Sequence, residues 1–110
     1  MIDFKEYQEK ARSTAVYPEM GNNLYYPSLG LAGEAGEVCE KVKKIMRDDN
    51  GEVTSIKKAA IAKELGDVLW YVSNVASELN LDLESIAYAN IQKLFDRMDR
   101  GVIKGSGDDR

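Results

Sequence analysis

The chain has 110 residues, a formal net charge of −4 and two prolines, a size that suits one domain with a single core. It has no histidine and only Cys39 as a thiol, which excludes Ser-His-Asp and Cys-His catalysis, HExxH and Glu-x-x-His metal sites, intrachain disulfides and cysteine-cluster zinc. No apolar run approaches the roughly 20 residues that cross a bilayer, and the opening MIDFKEYQEK lacks a signal-peptide stretch, so a cytoplasmic location is expected.

The spacing predicts four helices in a single domain over 1–110, with 102–110 as a mobile tail. The first runs from about Asp3 to Ser13, capped by Asp3 with Glu6 placed for a capping box. A looser stretch, Thr14 to Pro27, carries both prolines and Tyr17, Tyr25 and Tyr26. Ser28 is the expected cap of a second helix ending near Arg47. Asp48-Asp49-Asn50-Gly51 then signals a turn, and Thr54 or Ser55 starts a third helix reaching Leu79. Asn80 breaks it, Asp82 caps a fourth, and Gly101 ends that one.

Apolar seams follow helical spacing: Leu31, Ala35, Val38, Val42 and Ile45; then Ile61, Leu65, Val68, Val72, Val75 and Leu79; then Ala87, Ile91, Leu94 and Met98. These predict an all-α, antiparallel four-helix bundle with the seams as core. Trp70, opposite its seam, is expected to be buried against another subunit.

The charges beside the seams are more specific. Glu34 and Glu37 occupy one flank of the second helix, and Glu64 and Asp67 the same flank of the third. Each pair is spaced i, i+3 and shares a helix face. Counted from the turn at about 1.5 Å per residue, Glu37 is level with Glu64 and Glu34 with Asp67. Four carboxylates are therefore expected in one patch, a repulsion that a cation would reverse. Hard oxygen ligands favour Mg²⁺, with Mn²⁺ as a substitute. Asn90, Lys93 and Arg97 line one flank of the fourth helix and suit a polyphosphate. The alternative is a salt-bridge network between these cations and the carboxylates. Lys44 extends the second helix's charged row and either touches phosphate or solubilises the surface, whereas Glu40 reads as ordinary surface. Gln8, Arg12, Tyr17 and Tyr71 complete the candidate substrate contacts; for Tyr17 the alternative is a tyrosine covering the core.

These residues carry a resemblance. GLAGEAGEVCEKVKKI and KELGDVLWYV resemble the MazG-like nucleoside triphosphate pyrophosphohydrolases, the all-α NTP pyrophosphatase group. The E-x-x-E and E-x-x-D signature falls at Glu34–Glu37 and Glu64–Asp67, and NIQKLFDRMDRGVIKGSGDDR is similar to the family's C-terminal stretch. The resemblance implies a homodimeric or homotetrameric enzyme of the stand-alone, single-domain form. It would hydrolyse (d)NTPs at the α-phosphorus to (d)NMP and pyrophosphate with Mg²⁺. Glu34, Glu37, Glu64 and Asp67 would be the catalytic metal ligands, Lys93 and Arg97 would hold phosphates, and Asn90 would touch the metal or sugar side.

Two other readings stay open at this stage. One is a non-catalytic oligomerisation or antitoxin-like binding module, which would tolerate Glu37→Gln. The other is a related dUTP/dUDP or phosphoribosyl-ATP pyrophosphatase, separable by activity on dUDP. The acidic balance argues against a nucleic-acid polymer as partner.

Overall fold

The computed structural model describes residues 1–109, leaving Arg110 of the expected tail outside the described residues. The described residues form an all-α fold: α1 (Phe4–Ser13), α2 (Tyr25–Asp48), α3 (Ser55–Glu78) and α4 (Leu83–Asp99). Among them, no helix is long and apolar enough to cross a membrane.

Three N-caps are those the sequence predicts. Asp3 accepts from Glu6 N at 2.8 Å, Thr54 from Lys57 N at 3.2 Å, and Asp82 from Ser85 N at 3.0 Å. Glu6 itself pairs with Lys10 at 3.1 Å. The start of α2 differs from expectation. It begins at Tyr25, and Ser28 lies inside the first turn, where its N–H donates to Leu24 O at 3.3 Å. Asn23 Oδ1 takes the cap's role by accepting from Tyr26 N at 3.1 Å. Pro27 is tolerated because N–H groups of a first turn have no intrahelical partner to lose.

The turn after α2 uses left-handed Asn50 (φ 53°) and Gly51 (φ 80°), and α3 closes through left-handed Asn80 (φ 56°). There Leu81 N donates to Ala76 O at 2.8 Å and Asn80 N to Ser77 O at 3.1 Å, a Schellman closure. Gly101 (φ 72°) closes α4 the same way, with Val102 N donating to Arg97 O at 2.8 Å.

Helices α2 and α3 form a long antiparallel hairpin, α1 packs on α3, and α4 finds its main neighbour in α1. The radius of gyration, 16.8 Å, exceeds the about 13 Å expected of a compact chain this long. Consequently several seam residues expected in the core are uncovered: Val42 is 46% exposed, Leu65 54%, Ile91 45% and Met98 57%. Their spacing marks an apolar face correctly, but among the described residues the neighbouring helices cover it only in part. Trp70 is half-buried, and its Nε1 donates to Thr14 Oγ1, just after α1, at 2.8 Å.

Candidate metal and phosphate site

The α2–α3 hairpin brings three of the four expected carboxylates together. One carboxylate oxygen each from Glu34, Glu64 and Asp67 lies within 4.8 Å of the others. Glu34 and Glu64 are half-buried and Asp67 is exposed. A hydrogen bond with Glu64 pushes the Glu34 carboxyl above its ordinary value, and burial and the charges of Asp67, Glu64 and Glu37 add to that. Lys41 Nζ stands 3.6 Å from Glu64 Oε1 and offsets part of the charge. Glu37 is exposed and stays outside the converged trio, though its charge reaches Glu34.

One turn from Glu34 on α2 and one turn from Asp67 on α3, Gly30 meets the ring of Tyr71. A Cβ at Gly30 would overlap that ring, so glycine here permits the close approach. Burial raises the Tyr71 phenol, with contributions from Tyr26 and from the charges of Glu34 and Asp67. Tyr71 thus lies within electrostatic reach of Glu34 and Asp67.

The other expected contacts lie elsewhere. Gln8 Nε2 donates to Ser77 Oγ at 3.1 Å and Leu81 O at 2.9 Å, while its Oε1 accepts from Leu83 N at 2.9 Å. Arg12 donates to Tyr17 Oη at 2.6 Å, Asn74 Oδ1 at 3.1 Å and Glu78 Oε2 at 2.7 Å. Buried Tyr17 donates to Glu78 and stacks on Tyr26 with centroids 4.7 Å apart. Gln8, Arg12 and Tyr17 therefore spend their polar atoms fastening α1 and the loop after it to the end of α3. Lys44 pairs with Glu40 at 3.6 Å on the surface.

Glu78, the hub of this network, escapes the sequence reading. Its side chain is 1% exposed. Besides Arg12 and Tyr17 it accepts from the backbone N–H groups of Gly21 at 2.8 Å and Asn23 at 2.7 Å. Burial pushes its carboxyl up, but the bonds from Tyr17, Asn23, Gly21 and Arg12 outweigh that and hold it at about 2. The available signal was Asn74 and Glu78, one turn apart in a largely apolar stretch.

Asn90, Lys93 and Arg97 share α4, away from the hairpin's main contacts. Arg97 is 4% exposed. Its Nη2 donates to Asp108 O at 3.0 Å and Oδ1 at 3.2 Å, and Lys93 Nζ donates to the same Oδ1 at 3.1 Å. The Arg97 Nε is buried and lacks a hydrogen-bond partner among the described residues.

The family model for the MazG nucleotide pyrophosphohydrolase domain matches residues 27–102, a span holding all four signature carboxylates and Asn90, Lys93 and Arg97. The Gene 37 protein of Mycobacterium phage L5 is 47% identical over 109 residues, covering 94% of this chain and 96% of that protein. No solved structure matches. The extent of the family match settles descent: the chain belongs to the MazG nucleotide pyrophosphohydrolase family.

Proposed function

We propose that the chain hydrolyses (d)NTPs at the α-phosphorus, giving (d)NMP and pyrophosphate, with Mg²⁺ as cofactor and Mn²⁺ as substitute. The observation that carries this reading is the convergence of Glu34, Glu64 and Asp67 within 4.8 Å, inside the family-matched segment. Three hard oxygens from two helices suit a divalent cation, and the raised Glu34 carboxyl marks negative charge that a cation would relieve. Glu37, three residues from Glu34 on the same helix face, is the fourth proposed ligand.

Held by Glu34, Glu37, Glu64 and Asp67, a divalent ion would supply positive charge for the phosphate oxygens and would lower the pKa of a water. Glu34 or Glu37 accepts the proton of a water that attacks the α-phosphorus in line. The bond from the α-phosphorus to the bridging oxygen breaks, and pyrophosphate departs held by Lys93 and Arg97. Asn90 contacts the metal or sugar side, and Tyr71 lines the site's edge.

We further propose that the working form is a cytoplasmic homodimer or homotetramer. The extended shape, and the exposed Tyr88, Ile91, Phe95 and Met98 of α4, support this. A second copy would supply the helical neighbours that α4 lacks within its own chain.

Phosphorus NMR of the purified protein with a panel of NTPs and dNTPs, with and without Mg²⁺, tests the reaction. Metal-dependent monophosphate plus pyrophosphate is expected. Diphosphate plus orthophosphate would move the attack to the γ-phosphorus and overturn the assignment.

A further inference from the structure

We infer that the C-terminal segment is a strap, in which Asp108 occupies the Lys93–Arg97 pair as a stand-in for an anionic ligand and competes with polyphosphates for it. The inference rests on the proposed phosphate role of that pair, and its support is separate from the carboxylate site. Two left-handed glycines, Gly101 (φ 72°) and Gly107 (φ 84°), redirect the chain after α4. Asp108 then meets Lys93 and Arg97, fifteen and eleven residues back. Its carboxylate and its backbone carbonyl both accept from Arg97 Nη2, and the same carboxylate oxygen accepts from Lys93, so it presents two oxygens to the cations.

The two sides of this contact differ in burial. The Arg97 side chain is 5% exposed, while that of Asp108 is 81% exposed. An exposed carboxylate holds its partner weakly, because solvent screens the pair and ordering the tail opposes it. Arg97 Nε, buried and without a partner among the described residues, retains a donor that Asp108 leaves unused. Buried donors in native proteins are ordinarily paired. A polyphosphate, with more oxygens and more charge than one carboxylate, can engage that donor and displace the strap.

Isothermal titration of the full chain with inorganic tripolyphosphate, without divalent metal, tests this. Asp108→Asn is expected to tighten binding about two- to fivefold, the range set by an exposed ion pair. Adding Lys93→Ala to Asp108→Asn should reverse the gain. In amide NMR spectra of the unsubstituted chain, saturating tripolyphosphate should shift Gly105 and Gly107 toward free-chain positions. Unchanged or weaker binding by Asp108→Asn would overturn the strap, the latter making Asp108 an aid to binding. A chain that hydrolyses nucleotides yet shows this result would lose the strap and keep the proposed reaction. Tightening by Asp108→Asn in a chain that turns over no nucleotide would support the strap and sink the reaction.

Discussion

Glu78 and the Glu34–Glu64–Asp67 trio use one functional group in opposite ways at two levels of the same helix pair. Glu78 is buried and accepts four hydrogen bonds, from Arg12, Tyr17, Gly21 and Asn23, which hold its carboxyl at about 2. The trio gathers carboxylates against one another, with Lys41 at 3.6 Å as the nearby cation, and Glu34 titrates above its ordinary value. Glu78 is complete as it stands and fastens the fold. The trio carries negative charge that Lys41 offsets only in part, the arrangement that the proposed cation would relieve.

Glu64→Gln should break the comparison on the functional side. If the trio holds the metal, turnover falls more than about a hundredfold, since even groups that merely support ligands are worth 10–100-fold. Without metal, the same variant should melt no lower than the unsubstituted chain, because a repulsion is relieved. Steady-state kinetics and thermal melts read both.

Glu78→Gln should break it on the structural side, costing about 2–3 kcal/mol in urea unfolding, because Arg12 and two backbone donors lose a charged acceptor. Gly30→Ala is expected to cost about 1–2 kcal/mol, as Tyr71 must shift to admit the methyl group while helix propensity returns part of the loss.

In pH dependence the two regions should have opposite signs. Glu78 is lowered from 4.5 to about 2, so its contribution is present above pH 4.5 and fades as pH falls toward 2. Glu34 is raised above 4.5, so the folded state binds its proton more tightly and stability declines as pH rises through that carboxyl. Urea midpoints across this range should lose the first slope in Glu78→Gln and the second when saturating Mg²⁺ is present.

Much of this was legible in the residues. Helical periodicity and capping chemistry gave the four helices, and Asp3, Thr54 and Asp82 cap as read. The i, i+3 spacing put Glu64 and Asp67 on one face, and level-counting across the turn brought Glu34 to them. The unread parts depend on which neighbour covers a face, which periodicity does not report. Trp70 bonds to Thr14, Ile91 and Met98 stay exposed, and Gln8, Arg12 and Tyr17 turn inward to α3 and Glu78. The start of α2 differs from the spacing because Ser28 resembles a cap, whereas Asn23, earlier in the loop, accepts from Tyr26 N.

The most direct test of the central claim is Mn²⁺ binding followed by electron paramagnetic resonance, without nucleotide, in the unsubstituted chain, Glu64→Gln and Glu78→Gln. The account predicts Mn²⁺ binding that Glu64→Gln abolishes and that folded Glu78→Gln retains. Equal binding by Glu64→Gln and the unsubstituted chain would contradict it, and the converged carboxylates would then be a charged surface and not a metal centre.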